Sequence, residues 1–234
     1  MAGVVTVAAP SVFSGSASVI AVGVLLAEFG MFRQALLRDQ IRLYAAQSAL
    51  ISALAVVVAA ARHLPELYVL AGLAFALKAV IVPVVIRRQL RGLNARGTGP
   101  GWTDIAGSGS LSLATTVLIA IVVAAFGVFS VASLGIHSPV LPKTALGISV
   151  AVVLVAFVLM IMRRDVASQA IGFFSLENGV SLTSLVVAAG LPLILEIAFL
   201  FDLLVAVVVF GFLIRVHHGR AESLSTADLT SLRG

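Results

Sequence analysis

The chain has 234 residues, of which 61% are hydrophobic and 11% charged, and its net charge is +5. A mean hydropathy of +1.17 excludes an ordinary soluble domain, in which about a quarter of the residues are charged. The sequence has no cysteine, so this chain offers no thiolate to an iron–sulfur or nickel–iron centre. Its histidines fall in predicted loops or at membrane edges, so we expect no haem, other cofactor or metal here.

Long apolar runs predict about seven membrane-spanning helices. A bilayer core of about 30 Å requires roughly 20 apolar residues in an α-helix, and the runs lack the alternation of barrel strands. The predicted fold is therefore all-α and polytopic. The predicted spans are 11–32, 43–61, 67–86, 109–135, 144–162, 166–189 and 191–214.

The positions of lysine and arginine predict how the chain is oriented. Arg33, Arg38 and Arg42 follow the first span, Arg163 and Arg164 follow the fifth, and the alternate loops hold few basic residues. Because cytoplasmic loops are enriched in such residues, we expect the N-terminus outside and the C-terminus in the cytoplasm, in a bacterial or archaeal cell membrane. Topology and anionic lipid explain the basic charge, so we expect no nucleic-acid binding.

Three ionisable residues lie deep inside predicted spans: Lys78, Glu177 and Asp202. Each is placed roughly 13–20 Å along its helix from the flanking charges, and each costs on the order of 2.5–3.5 kcal/mol to insert. Such residues usually face the bundle interior or a water-filled path for protons or ions. Burial disfavours the charged form, so they can load and release protons near neutral pH.

We therefore predict a proton relay at mid-depth formed by Lys78, Glu177 and Asp202, with Glu196 as an access group. A purely structural buried pair is the alternative. Polar neighbours of Glu177 support the relay, since they can bond across spans or order water. They are Ser175, Asn178, Ser181, Thr183 and Ser184.

Two further polar residues receive structural interpretations. Glu28 lies five residues before Arg33, which favours a partly hydrated position at the membrane edge. Gln47 is interpreted as a hydrogen-bonding group between helices.

The first three and the last three predicted spans resemble each other. "LAFALKAV" aligns with "IAFLFDLL", which places Lys78 over Asp202, and a second alignment with a slip of four residues brings Gln47 near Glu177. We divide the chain into an N-terminal three-helix unit (1–92), a loop with the fourth helix (93–142), a C-terminal three-helix unit (143–216) and a cytoplasmic tail (217–234).

The segment that begins "IMRRDVASQAIGFFSLENGVSL" resembles the K subunit of respiratory complex I (NADH:quinone oxidoreductase). That resemblance implies one buried acid on each of the last two helices, and the final one falls on Asp202. The other would fall at Phe174, whereas this chain has Glu177 one helical turn further along. Over its full length, with "FFSLENG" followed by "LILEIAFLFDLLVAVVVFG", the chain is similar to component E of hydrogenase 4 and of formate hydrogenlyase-type complexes.

The resemblance implies a membrane-arm subunit that lies beside antiporter-like and other membrane subunits. Its expected function is proton or sodium translocation, coupled to electron transfer in other subunits, and the chain itself is then non-catalytic. Two alternatives stay open: a stand-alone secondary ion transporter, and a structural scaffold subunit without ion transfer.

Overall fold

The computed structural model describes residues 12–34, 36–94, 112–133, 143–188, 197 and 201–213. The long elements it describes are helices, which confirms the prediction of an all-α fold. The helices are α1 (Val12–Arg33), α2 (Leu37–Arg62), α3 (Pro65–Ala74), α4 (Val82–Asn94), α5 (Leu113–Ser133), α6 (Lys143–Met162), α7 (Val166–Ala188) and α8 (Phe201–Leu213). The π-helical segment Phe75–Ile81 joins α3 to α4, so these three form one continuous third span.

Six helices are long and apolar enough to cross a membrane, so the chain is a multi-pass membrane protein. They are Gly15–Arg33, Leu37–Arg62, Pro65–Leu90, Leu113–Ser133, Thr144–Met162 and Val166–Val187. Of the predicted seventh span, the structure describes Ile197 and the shorter apolar helix α8. The predicted tail, 217–234, lies outside the described residues.

Two helical hairpins form the centre of the bundle. α1 packs on α2 and α6 packs on α7, while α1 also contacts α6 and α2 also contacts α7. α2 and α7 run in the same direction, because Gln40 bonds Ser168 near their starts and Ser48 bonds Asn178 further along both. The two hairpins therefore lie side by side in parallel orientation.

Arg163 joins the two hairpins at their turns. Its guanidinium donates to the carbonyl oxygens of Phe32 at 2.8 Å and Gln34 at 3.2 Å, at the end of α1. Asp165 accepts a hydrogen bond of 2.7 Å from the amide of Ser168 and so caps the start of α7. Both contacts satisfy backbone groups that a helix end leaves without a helical partner. The two turns therefore lie on the same side of the molecule.

Glycine allows α6 and α7 to approach closely. A Cβ on Gly179 would lie 3.0 Å from the backbone nitrogen of Val153, and one on Gly172 would lie 3.2 Å from that of Met160. Larger residues would force the backbones apart. Small residues at such contacts are typical of helix packing in membranes.

The core consists of two apolar layers with polar residues between them. One apolar layer includes Met31, Tyr44, Val82 and Phe174. The other includes Val24, Ile51, Ala71 and Leu182. We call the residues between them the central polar layer: Glu28, Gln47, Ser48, Lys78, Ser175, Glu177, Asn178 and Ser181. Since apolar side chains flank it on both sides, this layer lies in the interior of the bundle, on α1, α2, the third span and α7.

Candidate functional site

Lys78 and Glu177 form a buried ion pair between the third span and α7. Lys78 Nζ lies 3.2 Å from Glu177 Oε2. It also donates to Ser181 Oγ at 2.7 Å and to the carbonyl oxygen of Glu177 at 3.5 Å. These contacts use all three protons of the ammonium. Only 4% of Lys78 is exposed, and 14% of the Glu177 side chain, so the charges compensate each other in a low-dielectric environment.

The π-helical segment Phe75–Ile81 positions Lys78. At its end, the amide of Val82 donates to the carbonyl of Leu77, five residues earlier rather than four. Pro83 follows, and a proline ring clashes with the carbonyl four residues before it, which favours a wider turn. π-Helical turns inside long helices occur frequently at functional sites. Here the wide turn carries the lysine that reaches α7.

A second group of hydrogen bonds surrounds Glu28, which is completely buried. Gln47 Nε2 donates to Glu28 Oε2 at 2.7 Å, and Ser175 Oγ is also hydrogen-bonded to that oxygen. Ser175 Oγ lies 2.9 Å from Gln47 Oε1 as well. Glu28 Oε1 is buried and has no hydrogen-bond partner among the described residues. The carboxyl of Glu28 therefore has neutral partners in the part of the chain that the structure describes.

Asn178 links this group to the surroundings of Lys78. Its Nδ2 donates to Gln47 Oε1 at 3.0 Å and to Ser48 Oγ at 2.8 Å. Ser48 in turn lines a cavity that Lys78 also lines. Hydrogen bonds thus run from Glu28 across α2 and α7 to Ser48, which shares the cavity with Lys78.

The cavity beside Lys78 has a volume of about 60 Å³. A water molecule needs about 10–15 Å³ of such volume and two to four polar partners. The wall supplies them through Ser48, Ser52, Ser181 and Ser184 as well as Lys78. Ser184 Oγ is buried without a hydrogen-bond partner among the described residues, and a water in the cavity would satisfy it. The site therefore combines an acid, a base and room for water, which are the components of a proton path.

The structure separates the predicted relay residues. Lys78 and Glu177 are in direct contact, whereas Asp202 lies on an exposed face of α8. Within the described ranges, no hydrogen bond or ion pair joins Asp202 to either of them. Lys78 and Asp202 align in the predicted internal repeat, yet Lys78 faces the core and Asp202 is exposed. Glu196 lies outside the described residues.

The interpretation of Glu28 as a partly hydrated edge residue is wrong. The residue is fully buried, because α1 packs against α2, α5 and α6 and the carboxyl points inward to Gln47 and Ser175. A usable signal was present in the sequence. Glu28 lies five residues before Arg33 and Gln47 five residues after Arg42, so a hairpin brings them to the same depth.

The prediction that Gln47 hydrogen-bonds between helices is confirmed, because it bonds both α1 and α7. The polar residues around Glu177 do not all face the same part of the bundle. Thr183 bonds Ser149 of α6 at 3.0 Å, whereas Ser175, Asn178 and Ser181 belong to the central polar layer. No group of three or more His, Cys, Asp or Glu residues is arranged to hold a metal within the ranges that the structure describes.

Comparison with known proteins gives a partial relative. The chain is 43% identical over 84 residues to the uncharacterized protein Rv0085 of Mycobacterium tuberculosis, and the match covers 36% of each chain. The chain therefore matches about a third of that relative's length. No family model matches the sequence, and no solved structure matches it.

Proposed function

We propose that this chain is a membrane-arm subunit of a redox-driven ion-translocating complex of the hydrogenase 4 or formate hydrogenlyase type, related to complex I. In this role it contributes buried charged residues to proton or sodium transfer. Electron transfer takes place in other subunits. The observation that carries the proposal is the Lys78–Glu177 pair in the interior of a membrane bundle, beside a cavity whose wall includes four serines.

Proton transfer is a better explanation for a buried ion pair of this kind than helix packing alone. Replacing a buried pair by apolar residues is often neutral or stabilising, so stability alone is a weak reason to keep one. Intramembrane acids and bases commonly belong to proton or ion paths. With cavity water, a proton can pass between the bulk phase, the lysine and the carboxylate.

Three features support a subunit over a self-contained enzyme. The chain has no cysteine for a metal cluster, so a redox partner would have to bring its own. The "SLENG" segment carries Glu177 and supplies the resemblance to component E. Asp202 lies on an exposed face of an apolar helix, where an antiporter-like neighbour would shield it from lipid.

In the proposed orientation, the N-terminus is outside and the C-terminus is in the cytoplasm. The turn after α1 and the turn after α6 both carry arginine, and the contact of Arg163 with Phe32 puts the two turns on one side. Because lysine and arginine are enriched in cytoplasmic loops, two arginine-bearing turns are expected on the same side of the membrane.

Affinity purification tests this proposal. A tagged chain is expressed in its native host, its membranes are gently solubilised, and the eluate is examined by mass spectrometry and for iron and nickel. We expect antiporter-like subunits and metal-bearing redox proteins to copurify. A chain that purifies alone and transports ions in proteoliposomes would contradict the proposal and identify a stand-alone transporter.

A further inference from the structure

Among the described residues, the pairing of Lys78 with Glu177 leaves the buried acid Glu28 without a cation. Its polar contacts among the described residues are to Gln47 and Ser175, both neutral. A fully buried carboxylate with neutral partners is strongly disfavoured, and such a group takes up a proton instead. The neutral acid is therefore the form that this environment stabilises.

The hydrogen-bond geometry accommodates this proton. The hydroxyl of Ser175 has one proton and lies beside two acceptors, Glu28 Oε2 and Gln47 Oε1. If Glu28 is protonated, it donates to Ser175, Ser175 donates to Gln47, and Gln47 Nε2 donates back to Glu28. The three side chains then form a closed ring of hydrogen bonds. If Glu28 is ionised, the Ser175 hydroxyl turns round to Glu28 and the ring opens.

Charge neutrality leads to the same assignment. The central polar layer contains two acids and one amine: Glu28, Glu177 and Lys78. With Lys78 charged, the layer is neutral only when one of the two acids is protonated. Glu177 has the ammonium 3.2 Å from its carboxylate, so the geometry gives the proton to the other acid.

Few other ionisable groups occur on the helices near Glu28. α5 has none, α6 has none after Lys143, and α7 has Glu177 alone. Between Arg42 and Arg62, α2 has only Tyr44. No second cation on these helices is therefore available to compensate an ionised Glu28 at this depth.

We propose that Glu28 is a second proton-binding site, which holds its proton as a neutral acid while the Lys78–Glu177 pair is intact. Its occupancy is coupled to that pair through Asn178, Ser48 and the cavity. Amide side chains do not carry protons onward, so Asn178 and Gln47 orient the hydrogen bonds while cavity water and hydroxyls exchange the proton. The inference deepens the proposed function and rests on it for the use made of the proton.

Infrared spectroscopy of the purified full-length chain in lipid nanodiscs tests the proposal. A protonated carboxylic acid has a C=O stretching band that is separate from carboxylate bands and shifts in D₂O. We expect Glu28→Gln to remove one such band from the wild-type spectrum. Glutamine should keep the fold, since its carbonyl oxygen at the place of Oε2 can accept from both Gln47 Nε2 and the Ser175 hydroxyl. The matched control, Glu66→Gln, changes an exposed acid and should leave the band in place.

Variants of the ion pair provide a second test. Lys78→Met removes the cation, so Glu177 should become protonated and add the band of a second acid. Lys78→Met combined with Glu177→Gln should return the spectrum to one band from this layer. If Glu28→Gln fails to fold, Ser175→Ala replaces it as the test, because loss of the hydroxyl should shift the Glu28 band to higher frequency.

A Glu28→Gln spectrum that loses no protonated-acid band would overturn the assignment, as would an unchanged band in Ser175→Ala. These results are independent of ion pumping. If the band is present but Glu177→Gln leaves pumping intact, the proposed function fails and the proton site on Glu28 stands. If the band is absent while Glu177→Gln abolishes pumping, the proton site on Glu28 fails and the proposed function stands.

Discussion

Lys78 directs its three ammonium protons at atoms of two α7 residues. Its depth and that of Glu177 followed from the sequence, because the distance to flanking charges fixes position along a helix. Their contact did not, since it depends on how each helix is rotated about its axis. The same limit explains Asp202, which was predicted at mid-depth and lies on an exposed face. The prediction of an edge position for Glu28 was wrong because neighbouring helices can shield a residue from water even close to a chain turn.

Removing Lys78 alone should destabilise the protein. In Lys78→Met, Glu177 keeps its burial and loses its counter-charge, and breaking one side of a buried pair costs about 3–5 kcal/mol. The measurement is the free energy of unfolding in mixed micelles. The double variant Lys78→Met/Glu177→Gln should recover most of the loss, because no uncompensated acid remains. Equal stability of wild type and Lys78→Met would show that the two charges do not depend on each other.

At the scale of helices, the apolar runs predicted where spans exist but not where helices end. The predicted second span began at residue 43, whereas α2 begins at Leu37. Hydropathy detects the lipid-facing length only, and a helix can continue into charged residues beyond the membrane. The π-helical segment was not predicted either. Pro83 in the sequence marks its end, but a proline alone does not distinguish a kink from a wide turn.

The contact between α6 and α7 should depend on Gly179. A methyl group added there meets the Val153 backbone at 3.0 Å, and overpacking of this kind costs about 1–3 kcal/mol. We expect Gly179→Ala to lower the free energy of unfolding by that amount. Gly72→Ala is the matched control, because a Cβ at Gly72 meets nothing within 4 Å. If both variants unfold alike, the two helices are not in close contact.

At the scale of the whole molecule, two parallel hairpins enclose a polar layer between two apolar ones. The two hairpins meet through the parallel pairing of α2 with α7, while the internal repeat of the sequence stays a prediction. The central polar layer could not be predicted from the sequence. Its residues come from four separate spans, and only packing brings them to one level.

Orientation in the membrane can be measured on single-cysteine variants, since the chain has no cysteine of its own. Leu36 and Glu66 are both exposed and lie at opposite ends of α2. We expect a membrane-impermeant maleimide to label Leu36→Cys from the cytoplasmic side and Glu66→Cys from outside. The reverse pattern would contradict the proposed topology, and labelling of both from one side would show that α2 does not span the bilayer.

We propose that a proton passes through the Lys78–Glu177 pair. The most direct measurement is substrate-driven proton or sodium uptake by inverted membrane vesicles that carry Glu177→Gln in the assembled complex, with Glu66→Gln as the control. We predict that the variant complex assembles and retains electron transfer while ion uptake is lost, and that the control behaves like wild type. Undiminished ion uptake in a fully assembled Glu177→Gln complex would contradict this role of the pair.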